Sequence, residues 1–192
     1  MASETRSGDV GIFDRIARLY DLKPATRRRK LAPALSLAER DIERVLDVGG
    51  GTGQGVRALD VPDGVVVDAA QGMLARAQDR GVAGVRGDAA RLPVADESVD
   101  AVLILDALHH MDRPATVVSE AARVLRPGGV LVCLEFDPTT IRGGGLAVAE
   151  HVFGFDSQFF AAGDLVAMIR GAGLSSSIPR DGFEYTVAGV KE

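Results

Sequence analysis

The sequence predicts an α/β fold built on a mostly parallel sheet, and three observations carry that prediction. The apolar pattern alternates along the chain between a strand period and a helix period, which is how a strand-helix-strand fold reads in one dimension. A buried apolar run, Val45-Leu46-Asp47-Val48, passes directly into Gly49-Gly50-Gly51-Thr52-Gly53-Gln54-Gly55, with five glycines in seven residues. Near the C-terminus, strand candidates at 175–179 and 183–190 are separated by about three residues, too few for a parallel crossover. They predict an antiparallel hairpin at or near a sheet edge.

The elements follow in order. Ile12, Ile16, Leu19 and Tyr20 fall at i, i+4, i+7 and i+8, the spacing of one helical face. Runs rich in Val, Ile and Leu predict buried strands at 44–48, 65–68, 84–87, 100–105 and 129–136. Between them, 71–80 reads as a helix, and Pro114 takes a first helical position in a helix that runs to Leu125. Arg126-Pro127-Gly128-Gly129 ends that helix. Gly143-Gly144-Gly145 reads as a flexible loop, either a mobile lid over a site or an ordinary surface turn, and 161–172 reads as a further helix. No repeat or linker splits the chain, so 1–192 is expected to form one domain. It comprises an N-terminal helical cap over 1–42, a core over 43–136 and a substrate-side segment with the hairpin over 137–192.

Composition narrows the function classes. The net charge of -5 argues against a broad basic footprint for nucleic acid, whose affinity depends on clustered Lys and Arg. Arg27-Arg28-Arg29-Lys30 is the exception, read as a solvated helix face or as a patch for an anionic ligand or membrane surface. Cys133 is the single cysteine and His109, His110 and His151 the three histidines, so a disulfide framework and a multi-cysteine zinc site are both excluded. Cys133 is expected to be buried apolar filler. With no apolar run of about 18 residues, no integral membrane segment is expected, and the reading is a cytoplasmic protein. Oligomeric state is left open, a homodimer included.

The glycine loop is the most informative stretch. Glycines admit φ > 0 and remove the Cβ atoms that would hold a ligand away from the main chain. The dinucleotide spacing G-x-G-x-x-G fails in every register, since the third position is Gln54, Val56 or Ala58, and no Lys follows the glycines as a phosphate loop requires. Asp68 ends the second strand 21 positions after Asp47, where an acid accepts hydrogen bonds from ribose hydroxyls. Asp88 ends the third strand, in reach of an adenine amine. One strand-end Asp is commonly a helix cap, but a set of acids beside one glycine loop points to a nucleoside ligand.

These residues resemble class I S-adenosylmethionine-dependent methyltransferases, in particular the ubiquinone/menaquinone-biosynthesis branch. The resemblance includes Asp47-Val48-Gly49-Gly50-Gly51-Thr52-Gly53, Asp68-Ala69-Ala70-Gln71-Gly72-Met73-Leu74 and Gly87-Asp88-Ala89. It continues through Asp106-Ala107-Leu108-His109-His110-Met111 and Arg123-Val124-Leu125-Arg126-Pro127-Gly128-Gly129. It implies a Rossmann-like seven-stranded sheet of order 3-2-1-4-5-7-6, strand 7 antiparallel, with helices on both faces. It also implies S-adenosylmethionine as cofactor, with Gly49, Gly51 and Gly53 near its methionine part, Asp68 on the ribose and Met73 packed on adenine. Asp88 and the backbone of Ala89 would read the adenine edge, Asp106 would lie near the sulfonium, and Asp47, Thr52 and Ala69 complete the cofactor-binding set. Gly50 is a departure, standing where many relatives carry Cys or another small residue.

The implied chemistry is in-line displacement at an activated methyl group, where alignment of nucleophile, carbon and sulfur can contribute roughly 7–11 kcal/mol. His109 or His110 beside Asp106 would serve as a general base for an acceptor that must lose a proton. The Asp106-Ala107-Leu108-His109 block lacks the Asn/Asp-Pro-Pro-aromatic pattern of nucleobase and glutamine-amide methylation. The segment Phe13-Asp14-Arg15-Ile16-Ala17-Arg18-Leu19-Tyr20-Asp21 resembles that of quinone-ring enzymes. A small hydrophobic aromatic acceptor is therefore expected. Two rivals remain: a nicotinamide oxidoreductase, disfavoured by the glycine spacing, and a non-catalytic S-adenosylmethionine-binding module that acts through a protein partner.

Overall fold

The computed structural model describes residues 7–20, 27–155 and 157–192, with side chains described for 9–15, 29–155 and 157–192. Helices α1 (Ser7–Tyr20) and α2 (Arg27–Leu35) precede β1 (Arg44–Val48), α3 (Gln54–Leu59), β2 (Asp63–Asp68), α4 (Gln71–Gln78), β3 (Ala83–Arg86) and β4 (Val99–Leu105). A 3-10 turn (Leu108–His110), α5 (Pro114–Val124), β5 (Leu125–Phe136), α6 (Ile141–Val152), α7 (Ala162–Gly171), β6 (Ser175–Arg180) and β7 (Glu184–Val190) complete the order.

The strands form one seven-stranded sheet of order β3-β2-β1-β4-β5-β7-β6, as the resemblance implied. β1 pairs in parallel with β2 and β4, and β4 with β5. β7 runs antiparallel to both β5 and β6, which confirms the hairpin.

Strand alternation sorts the core into two layers. On β4, Val102 and Ile104 join the cluster under α5 and α7, while Ala101, Leu103 and Leu105 join the one under Leu31 and Ala34 of α2. On β5, Leu131 and Cys133 take the first face and Val130, Val132 and Leu134 the second. Cys133 is fully buried, and burial pushes its thiol pKa far up, as expected of filler.

Two sequence expectations need correction. Gly143-Gly144-Gly145 is neither a lid loop nor a surface turn but lies within α6, where Thr140 caps the helix by accepting from the Gly143 amide at 3.1 Å. The Asp137 carbonyl passes so close to Gly143 that a Cβ would collide with it, so this glycine serves close backbone approach. In addition, β5 begins at Leu125 rather than four residues later, because the Lys191 carbonyl receives the Gly128 amide at 2.7 Å and draws the turn into the sheet.

Asp100 anchors the end of the sheet away from the glycine loop. Its carboxylate is 2% exposed, accepts from the Arg44 and Glu43 amides at 2.9 and 3.2 Å, and pairs with Arg126 and Arg40, each at 2.9 Å. Burial alone would raise its pKa, but the amide of Arg44, then Arg126 and Glu43, outweigh burial and hold it below 3.8. A carboxyl depressed on folding stabilises the native state above its unfolded pKa and loses that contribution as pH falls through the folded value. Asp100→Asn is therefore expected to cost about 3 kcal/mol near neutrality, measured by denaturant unfolding, with the deficit shrinking below about pH 4. A constant deficit down to pH 2 would contradict this account.

Candidate active site

The cavity opens at the carboxyl ends of β1, β2, β3 and β4, where the strand order reverses between β1 and β4, the position at which doubly wound sheets bind ligands. Gly49, Gly51 and Gly53 adopt φ of +68°, +56° and +77°. A Cβ at Gly49 would stand 2.9 Å from Ala107 Cβ and Met111 Cε, and one at Gly53 would crowd Val82 at 3.1 Å. At Gly50 and Gly55 it would strike the Asp47 carboxylate, which is tucked beneath the loop. Only at Gly51 would the added atom find ordinary space, 3.6 Å from Met73 Sδ on the cavity wall. Gly49, Gly50 and Gly51 all line the cavity, and Gly51 is the one of them whose Cβ would meet no protein atom closer than 3.6 Å.

Asp68 ties that loop in place. Its two oxygens accept from the amides of Gly51 at 2.9 Å and Ala70 at 2.8 Å. Burial, which outweighs these hydrogen bonds, raises its pKa above the ordinary value. Asp88 is more exposed; it accepts from the Ala90 amide at 2.8 Å and from Arg113 at 3.0 Å. Asp106 stands at the end of β4 with φ +57°, an unusual conformation for a non-glycine residue of the kind held at functional sites.

The cavity gathers Gly49, Gly51, Thr52, Asp68, Ala69 and Met73 with Asp88, Ala89 and Asp106. Asp47 and Gly53, also expected in the cofactor set, are not among the residues that line it, and the Asp47 carboxylate lies against Gly50 and Gly55. The histidine pair is divided. His110 lies on the cavity wall, with Nδ1 3.3 Å from Asp9 and 3.2 Å from Ser157 Oγ. His109 is buried outside the wall, stacked on Phe159 at 4.7 Å, with Nδ1 2.5 Å from Glu135 Oε2. Burial disfavours its imidazolium, but the adjacent Glu135 carboxylate prevails and raises the pKa.

Two contributors escaped the sequence reading. Glu135, 1% exposed, also accepts from the Leu108 and Ala107 amides at 2.8 and 3.3 Å and so shapes the turn that carries both histidines. An acid that closes the apolar run Val130–Leu134 was the available signal. From α1, the wall residues are Asp9, Val10 and Phe13, with Val10 and Phe13 packed on Ala70 and Met73. Ile12, on the helical face that the spacing defines, is not among the wall residues, and the side chains of Ile16, Leu19 and Tyr20 on that face lie outside the described residues.

A loop of left-handed glycines after β1, acids ending β2, β3 and β4, and this strand order define the class I S-adenosylmethionine-dependent methyltransferase fold. Comparison with known proteins agrees. A methyltransferase domain profile matches residues 46–133. The chain is 39% identical over 143 residues to a demethylmenaquinone methyltransferase of Mycobacterium sp. strain KMS, covering 69% of this chain and 61% of that protein. It is 31% identical over 199 residues to a ubiquinone/menaquinone biosynthesis C-methyltransferase of Dinoroseobacter shibae, covering 94% and 74%. Among solved structures, an S-adenosylmethionine-dependent methyltransferase from Thermotoga maritima aligns with TM-score 0.77 at 23% identity, covering 95% and 99% of the two chains. The chain belongs to the methyltransferase family of these quinone-biosynthesis enzymes, although it spans only 61% of the mycobacterial relative.

Proposed function

We propose that this chain transfers the methyl group of S-adenosylmethionine to a small hydrophobic aromatic acceptor, a reduced quinone ring being the leading candidate. The observation that carries the reading is one continuous cavity with two kinds of wall. Asp68, Asp88 and the glycine loop suit a nucleoside, while Phe13, Met111 and His110 suit a flat apolar ring. Phe13 meets His110 edge-on at 5.0 Å and Phe155 at 5.5 Å, an aromatic group of the kind that receives planar ligands. In this reading Asp68 accepts from the ribose, Met73 packs on adenine, Asp88 and Ala89 meet its edge, and Asp106 faces the methionine amino group. The methyl group is already activated, so the chain's task is to align the acceptor atom with it and to exclude water. Of the two histidines, His110 is the one that would touch the acceptor.

The test is transfer of isotope-labelled methyl from S-adenosylmethionine to a panel of a demethylated hydroquinone, a catechol, a primary amine and a duplex DNA. Label is expected in the hydroquinone with release of S-adenosylhomocysteine. Label in DNA alone would overturn the reading, and cofactor binding without transfer to any acceptor is the result that a non-catalytic module predicts. Within the cofactor set, Asp68→Ala is expected to weaken S-adenosylhomocysteine binding by about 1.5–3 kcal/mol, the range for hydrogen bonds to a charged group. Asp88→Ala should cost less, because water replaces one hydrogen bond there and Arg113 already shares the carboxylate. The opposite ranking, read by calorimetry, would reverse the two assignments.

A further inference from the structure

We propose that His109, His110 and Glu150 form a site for one divalent transition-metal cation of the zinc(II) class, joining α6 to the turn after β4. One ligating atom from each of the three residues lies within 4.8 Å of the other two. Atoms so placed share a centre no more than about 2.8 Å from each, so metal bonds of about 2.0–2.2 Å need only a sub-ångström contraction.

The second observation is the Nε2 atom of His109. The side chain is fully buried, and this nitrogen has no hydrogen-bond partner among the described residues. Its other nitrogen is held by Glu135, the carboxylate-histidine arrangement that fixes the ring of a metal ligand and leaves the Nε2 lone pair available. Glu150 Oε2 stands 3.9 Å from it, too far for a hydrogen bond but suitable for two ligands of one ion. A proton is the rival occupant. An N–H at Nε2 would draw a free acceptor to about 2.9 Å, whereas Glu150 Oε2 stands 3.9 Å away with Ser157 Oγ on it at 2.5 Å.

The charge balance points the same way. Asp9 faces His110, Glu135 and Glu150 flank His109, and Asp106 lies nearby, so the two imidazoles sit among carboxylates that a cation would neutralise. Two imidazoles and one carboxylate select zinc, cobalt or nickel over magnesium or calcium, which prefer all-oxygen sets. Ser157 Oγ, which donates to Glu150 Oε2 at 2.5 Å, is placed beside the site as a further polar group. Coordination would pin α6, whose Ile141, Val148 and Val152 remain largely exposed, against the acceptor side of the cavity. It would also give the histidine pair a role other than general base. The site does not depend on methyl transfer and is testable without it.

The experiment is titration of the chelator-treated full chain with cobalt(II), read by visible absorption and by equilibrium dialysis, with zinc(II) as competitor. One equivalent is expected to bind with the spectrum of a nitrogen- and oxygen-ligated ion and to be displaced by zinc. Glu150→Gln and His110→Asn, each checked by circular dichroism for an unchanged fold, should weaken binding at least about tenfold. His151→Asn, which alters the exposed histidine next along α6, should bind as the parent does. Zinc should raise the thermal midpoint of the parent and leave that of Glu150→Gln unchanged. Absence of bound cobalt, or equal binding by Glu150→Gln and the parent, would overturn the proposal.

Discussion

Gly51→Val is expected to remove cofactor binding while leaving the protein folded. Gly51 is the loop glycine whose Cβ meets no close protein atom, with Met73 Sδ at 3.6 Å, so the new side chain would occupy the cavity itself. At φ +56° a β-branched residue also strains the loop, at about 1–2 kcal/mol, against a total folding stability of about 5–15 kcal/mol. Affinity for S-adenosylhomocysteine should fall at least about a hundredfold, or ~2.7 kcal/mol, by calorimetry. Gly51→Ala should fall between this variant and the parent. Unchanged affinity in a folded Gly51→Val would place the ligand elsewhere.

Glu135→Leu should produce the largest loss of stability. One buried carboxylate serves the Ala107 and Leu108 amides and the His109 ring, and none of these can turn to water when it is removed. Breaking a buried charged network by deleting one partner costs about 3–5 kcal/mol. Glu135→Gln keeps one acceptor oxygen for the two amides and should cost less. Urea unfolding measures both, and a Leu variant within about 0.5 kcal/mol of the parent would show that this turn is held by packing alone.

Much of this was legible in the sequence because the signals were local. The strand β1 and its glycine loop, the acids at Asp68 and Asp88, and the antiparallel β6 and β7 follow from apolar period, residue type and loop length. What escaped depends on contacts between distant segments. Gly53 combines a left-handed φ of +77° with Val82 3.1 Å from where a Cβ would stand, a contact across 29 positions that spacing alone does not reveal. The three consecutive glycines of α6 have low helix propensity, and the Thr140 cap together with the Asp137 carbonyl overrides it. Glu135 and His109 are 26 positions apart and meet only because β4 and β5 are neighbours. From α1, Val10 and Phe13, three positions apart, pack on Ala70 and Met73, a contact that the face through Ile12 did not signal.

The cavity at the ends of β1 to β4 is proposed to hold S-adenosylmethionine. Calorimetric titration of the parent chain with S-adenosylhomocysteine, repeated with NAD, tests it most directly. One site per chain is expected, with micromolar or tighter affinity for S-adenosylhomocysteine, competed by S-adenosylmethionine, and no heat from NAD. Saturable binding of NAD with none of S-adenosylhomocysteine would contradict it.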